Sequence, residues 1–143
     1  GSISGLGTEA EVNALKSFGT NFGMTFQLID DAIDYSSNKK ILGKNTGDDF
    51  KEGKITLPII LAYGRSNDKE KKFWERTISD LNQNDGDFEM ALEIINKYQC
   101  IEDTLTRANH FSNVAVDSVD IFKDNIYKEK LVSLVSKSVS RIY

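Results

Sequence analysis

The 143-residue chain carries one cysteine and one proline. A lone Cys100 excludes an internal disulfide and any multi-cysteine zinc site. A lone Pro58 leaves long stretches free to be helical. Positive charge is not in excess, since 18 Lys and Arg against 22 Asp and Glu leave a net charge of −4. Without a basic patch there is no footprint for nucleic-acid phosphates. The longest uncharged apolar run is LPIILAY, from Leu57 to Tyr63, far short of the ~20 residues that a membrane span needs. No Asn-x-Ser/Thr sequon and no signal-peptide pattern occur, and these absences together read as a cytoplasmic setting. The chain opens with Gly1-Ser2 rather than Met, so a piece of a longer protein is expected.

What is present is ordinary globular composition, with 39% hydrophobic and 28% charged residues. Alternating β-branched patterns are scarce and the helical period dominates. Thr8-x-x-Glu11 forms a capping box. Behind it Val12, Leu15, Phe18, Phe22, Phe26, Ile29 and Ile33 recur every three or four residues, so one helix is expected from Glu9 to Tyr35. A polar loop, Ser36 to Lys54, follows. Thr56 is placed to cap the next helix, Pro58 to sit in its first turn and Gly64 to stop it. Further helices are expected from Asn67 to Leu81, from Phe88 to Tyr98 with Asp87 as its cap, from Ile101 to Phe122 and from Lys128 to Arg141. The expected architecture is an all-α helical bundle over residues 1–143, with no repeat and no second domain.

The stretch Phe22–Tyr35, FGMTFQLIDDAIDY, carries the chemistry. Asp30, Asp31 and Asp34 stand at i, i+1 and i+4. At about 100° per residue they share one face with Gln27, beside the apolar stripe rather than opposite it. Gly23 and Gly19 project one and two turns before Phe26 on this face and add no bulk, so the wall can line a cavity. Three like charges within two turns repel one another. They also stand near the helix C-terminus, where the macrodipole disfavours anions. Cations relieve both costs, and hard oxygen ligands at this spacing suit Mg²⁺ held by one or two carboxylates plus substrate phosphates. A bare DDxxD is equally the pattern of a solvated acidic face.

The next segment, LGKNTGDDFKEGKITLP, supplies the complement. Lys44 and Lys54 each follow a glycine. Glycine lets backbone approach a ligand closely, and lysine acts as a point charge toward phosphate. The segment is not a P-loop, because no G-x-x-x-x-G-K-[ST] follows a strand.

FQ-x-x-DD-x-x-D, then GK-x-x-G-D-D, then EGK-x-TLP, in this order, resembles the second aspartate-rich region of trans-isoprenyl (polyprenyl) diphosphate synthases. The nearest type is the bacterial long-chain one, the octaprenyl diphosphate synthases, and the resemblance covers essentially the whole chain. It implies the C-terminal part of the isoprenoid synthase fold. It implies that Asp30, Asp31 and Asp34 bind Mg²⁺ bridging to an allylic diphosphate, with Asp30 the principal ligand. Lys44 then contacts that diphosphate and Lys54 helps to neutralise it. Phe26 and Gln27 line the site beside the isoprenoids, and Asp48 and Asp49 take a supporting part. The implied reaction is head-to-tail prenyl transfer, in which the double bond of isopentenyl diphosphate attacks an allylic cation and the leaving diphosphate is stabilised electrostatically. A homodimer is implied for the full-length protein.

The family's first DDxxD motif and the Lys-Thr pair ahead of this helix are absent from these residues, and Asp117 and Asp120 lack the spacing to replace them. The chain is therefore expected to be inactive alone. A non-catalytic helical subunit that stabilises or regulates a synthase partner is the alternative, and a generic acidic interaction domain is a third. His110, Cys100, Phe73 and Trp74 carry no partner pattern and are expected to be structural.

Overall fold

The computed structural model describes Gly5, residues 7–36 and residues 47–142. Lys44 and Gly43 lie outside the described residues. Seven α-helices occur among those described: α1 (Glu9–Asp34), α2 (Asp48–Lys51), α3 (Leu57–Arg65), α4 (Asp68–Trp74), α5 (Asp87–Lys97), α6 (Cys100–Ser118) and α7 (Ile126–Val139). No strand occurs among the described residues, as the scarcity of alternation implies.

The chain divides into two compact units. One takes in the residues up to Ile29 and those from Thr106 onward, and the other runs from Asp30 to Leu105. In the first unit Phe18, Ala115, Val119 and Val135 form the buried core, with Leu15, Phe22 and Phe122 packed against it. Small residues let helices approach, and the Ser17 and Ser118 hydroxyls meet at 2.8 Å. The buried Thr25 hydroxyl bonds the carbonyls of Asn21 and Ala108. In the second unit the core is larger and richer in rings, with Tyr35, Phe50, Phe73 and Trp74 among Ile59, Ile78, Ile94 and Ile95. There α3 packs on α4 and α5.

The local signals explain most boundaries. Glu11 accepts from the Thr8 amide at 2.7 Å, closing the expected capping box. The Asn67 side chain accepts from the amides of Lys69 and Glu70, and Glu70 returns a bond to Asn67. Pro58 stands in the first turn of α3, where its missing N–H costs nothing.

Several expectations need correction, and Thr56, though it stands at the N-cap of α3, makes no side-chain cap bond. The loop after α1 contains a helical turn, α2, which is too short to show a period. Gly64 does not stop α3, which runs on to Arg65 and ends where Ser66 turns extended. The Ser66 hydroxyl holds that end by bonding the Ala62 carbonyl and receiving the Trp74 indole N–H. The helix expected to reach Leu81 is α only to Trp74 and then makes a π turn, Glu75–Ser79, in which the Asp80 amide bonds the Glu75 carbonyl. Asp87 does not cap α5. Gly86 holds that place at φ 88, and the Asp87 carboxylate is taken by Arg76 on both guanidinium nitrogens at 2.8 Å and by the Asn84 amide. Finally, α6 ends at Ser118 rather than Phe122, and α7 starts at Ile126 rather than Lys128. The Asn125 side chain caps α7 by accepting from Tyr127 and Lys128.

Candidate functional site

The three aspartates occupy the last turns of α1, where no basic side chain offsets the dipole. Asp31 is buried, at 6% exposure, while Asp30 and Asp34 are half-buried. All three belong to the second unit, as do Lys54 and the acids of α2. Phe26 and Gln27 stand earlier on α1, in the first unit, and both are exposed. The ring of Phe26, expected on the apolar stripe, is open to solvent and lies 5.1 Å from the Arg141 guanidinium. Gly19 and Gly23 do leave open space, since a Cβ at either would meet nothing within 4 Å.

The segment after the undescribed residues is held to the end of α1 by two bonds. The Gly47 amide donates to the Asp34 carbonyl at 3.0 Å. The Asp49 amide donates to the Asp34 carboxylate at 3.1 Å. Gly47 has φ 84, and a Cβ there would strike the ring of Phe88, so glycine serves both the left-handed turn and the packing of that ring. Gly53, at φ 66, lies against Leu81 in the same way. Both glycines thus have a structural duty.

Lys54 faces two carboxylates, Asp49 at 2.9 Å and Glu52 at 2.7 Å. Hydrogen bonds from the ammonium to Glu52 and Asp49 push its pKa up, so it stays charged. Asp49 is therefore the hinge of the arrangement: its amide holds Asp34 and its carboxylate holds Lys54. Sequence reasoning gave Asp49 only a supporting part, because a contact fifteen residues apart has no signature in spacing.

Burial pushes the Asp34 carboxyl above the ordinary carboxylate range. The Asp49 amide pulls the other way, and the charges of Asp49 and Asp48 add to the rise. A half-buried carboxylate among like charges is a place where a cation lowers the energy. The donors are carboxylate oxygens, without thiolate or imidazole, which suits a hard divalent ion. Among the described residues no three His, Cys, Asp or Glu side chains gather as a ready-made ligand set. The fit is thus to an ion that takes one or two carboxylates and completes its shell with water and ligand phosphates.

A comparison with known families decides what this arrangement belongs to. The Polyprenyl synthetase family model matches residues 2–95. The chain belongs to this family. The chain is 37% identical over 137 residues to the octaprenyl diphosphate synthase of Haemophilus influenzae, covering 96% of this chain and 41% of that one. It is 33% identical over 134 residues to that of Escherichia coli, covering 94% and 41%. Among solved structures it matches the decaprenyl diphosphate synthase of Rhodobacter capsulatus with a TM-score of 0.91 at 34% identity, over 99% of this chain and 44% of that one. It matches a polyprenyl synthase of Caulobacter crescentus, complexed with calcium and isoprenyl diphosphate, with a TM-score of 0.84 at 40% identity, over 97% and 42%. The chain spans about two fifths of the length of the curated relatives it matches. Those relatives are prenyltransferases, and the all-α isoprenyl synthase fold expected from the motifs is the fold found. No described helix is long and apolar enough to cross a membrane.

Proposed function

We propose that this chain forms the part of a trans-polyprenyl diphosphate synthase that receives the allylic diphosphate for chain elongation with isopentenyl diphosphate. The observation that carries the reading is the hold of Asp34 on the Gly47–Asp49 turn, which keeps the GDD segment and Lys54 beside the DDxxD end of α1.

Asp30, Asp31 and Asp34 are the residues that would hold Mg²⁺. One Asp34 oxygen already accepts from the Asp49 amide, which fixes the direction of its carboxylate. When bound, the ion supplies electrostatic stabilisation of a departing diphosphate. Lys54 keeps its proton and exchanges Asp49 and Glu52 for diphosphate oxygens. Lys44, one residue after Gly43, adds a second ammonium. Phe26 and Gln27 present an aromatic face and an amide to the isoprenoid from the preceding turns of α1. A cytoplasmic homodimer is the proposed state of the full-length protein, and the family's other aspartate motif must come from residues beyond these, so the chain alone does not turn over.

Titration calorimetry with inorganic pyrophosphate tests the reading. Binding is expected only with Mg²⁺, and Asp30→Ala is expected to weaken it at least about 10-fold, since loss of even an outer-shell partner of a metal ligand costs that much. Binding indifferent to Mg²⁺ or to Asp30→Ala would leave an acidic interaction domain as the better description. Prenyl product formed by the isolated chain would refute the proposal that it is catalytically incomplete.

A further inference from the structure

The segment from Glu75 to Gln83 departs from regular helix in ways that all bear on the turn leading into Lys54. It begins with the π turn, Glu75–Ser79. Such turns are rare and often stand at functional sites. Here the helix end is closed step by step. The Glu75 carbonyl accepts from the Asp80 amide at 3.0 Å and the Arg76 carbonyl from the Asn82 amide at 2.9 Å. The Thr77 carbonyl accepts from the side-chain amide of Gln83 at 2.9 Å. Leu81, between them, has φ 51, a left-handed conformation uncommon for a residue with a large side chain. Strain of this kind persists only where the surroundings over-determine it.

The surroundings are the turn that closes α2. The Gln83 amide donates a second time, to the Phe50 carbonyl at 2.8 Å, across 33 residues of sequence. The same carbonyl accepts from the Gly53 amide at 3.0 Å. Gly53 lies against the Leu81 side chain and the Ile78 carbonyl, so closely that no Cβ fits there. Lys54 comes next, and its amide donates to the Asp49 carbonyl at 2.9 Å. Gln83 is itself held from both sides. Arg76 donates to the Asn82 carbonyl at 2.7 Å, and Asp87, which Arg76 grips, accepts from the Asn84 amide at 2.7 Å. Both partners of the Gln83 side chain are carbonyls, so its NH₂ group gives one hydrogen to each, and a side chain without a donor could serve neither. One hydrogen closes the π turn, and the other reaches the turn ahead of Lys54.

We infer that Gln83, with Leu81 beside it, is a positioning residue: its amide ties the π turn to the Phe50–Gly53 turn and so fixes the backbone from which Lys54 reaches the carboxylates. The effect on a ligand rests on the reading above, that Lys54 and the aspartates receive a metal diphosphate.

The test uses Gln83→Met, which keeps the length of the side chain and donates nothing, and Leu81→Gly, which takes φ 51 freely and uncovers Gly53. Lys54→Ala and its combination with Gln83→Met complete the set. Inorganic pyrophosphate with Mg²⁺ is the calorimetric probe. Lys54→Ala is expected to weaken its binding about 10- to 100-fold, as loss of a hydrogen bond from a charged group does. Gln83→Met is expected to weaken it about fivefold, and Leu81→Gly to act in the same direction. In the Lys54→Ala background Gln83→Met is expected to change affinity by less than about twofold, because Gln83 acts through Lys54. A merely structural residue would weaken binding equally in both backgrounds. That result, or an affinity unchanged by Gln83→Met, would overturn the inference. Amide hydrogen exchange reads the anchoring without ligand. The Gly53 and Lys54 amides are expected to exchange about tenfold faster in Gln83→Met, with Ile94 and Ile95 of α5 changing less. Leu81→Gly is expected to speed the same amides. Wild-type rates at Gly53 and Lys54 in both variants would overturn the inference as well. Should Gln83→Met not fold, Leu81→Gly, whose side chain is 58% exposed, carries both measurements. If the wild-type chain binds no pyrophosphate, the diphosphate reading falls, and the exchange rates alone decide whether Gln83 and Leu81 anchor this turn.

Discussion

Tyr35, Phe50, Phe73 and Trp74 all lie in the core of the unit from Asp30 to Leu105, whereas among the described residues the core cluster of the other buries a single ring, that of Phe18. The second unit adds fixed polar contacts to its rings. Arg76 grips Asp87 with both nitrogens, Glu70 receives Lys97 at 2.8 Å, and Arg65 reaches the Asp103 carboxylate and the Tyr98 carbonyl. The first unit packs small residues instead, with Ala108, Ala115 and Val119 fully buried. Among its described residues Met24, Phe26, Ile121, Ile126, Tyr127 and Leu134 stay exposed. The aspartates and Lys54 belong to the ring-rich unit. Carboxylates that repel one another need a stiff base, and large interlocked side chains provide one.

The widest gap between the units should appear on core truncation. Trp74→Ala removes a side chain that is 2% exposed and whose indole N–H bonds Ser66, and is expected to cost about 3–5 kcal/mol. Val135→Ala in the first unit is expected to cost about 2 kcal/mol, for the two methyl groups removed. Urea denaturation of both variants measures the difference, and equal losses would mean that the ring-rich core is packed less tightly than its burial implies. The glycines sharpen the same contrast. Gly47→Ala meets a left-handed φ and the Phe88 ring, and is expected to cost about 1–3 kcal/mol. Gly19→Ala has open space within a helix, and is expected to stabilise by up to about 1 kcal/mol. A destabilising Gly19→Ala would show that this face of α1 is more crowded than its open Cβ position implies.

Acid should separate the units by a smaller margin. The Arg76 guanidinium, and after it the Asn84 amide, hold Asp87 below the usual carboxylate range. Lys97 and the Asn67 amide do the same for Glu70. Groups depressed in the folded state contribute stability above their unfolded pKa and lose it as pH falls through the folded one. Asp34 is raised, so its protonation favours the fold and offsets part of that loss. Trp74, the only tryptophan, lies in the second unit and reports on it. Its fluorescence is expected to signal loosening as pH falls below about 4, and Asp87→Asn is expected to make the signal flatter. A trace for the wild type that stays level to about pH 2 would show that these ion pairs carry little of the unit's stability.

Helix legibility followed how local each cause was. The three-and-four spacing of α1 and the boxes at Thr8 and Asn67 lie within one or two turns, so they could be read directly. The four residues of α2 are too few to repeat a pattern. The π turn at Glu75–Ser79 was hidden because an uninterrupted α-helical period also accounts for Phe73, Thr77 and Ile78. Gly64 was misread as a stop because glycine ends helices by taking positive φ, and here the buried Ser66 ends α3 through its own bonds. The aspartate face could be read for the same reason as α1, whereas the duty of Asp49 could not. Thr56 was noticed for a capping role that its hydroxyl does not perform.

The identity of the family, the helical class and the sharing of one face by Asp30, Asp31 and Asp34 follow from the order of residues alone. Motif order and helical rotation are properties of short stretches of chain. Tertiary structure alone decided that one Asp34 oxygen is engaged by the Asp49 amide and that Lys54 rests on Asp49. It alone buried the Tyr35 and Thr56 side chains. Each of these arrangements depends on where a segment folds back, and burial, which sets the energy of an unpartnered or like-charged group, exists only once it has done so.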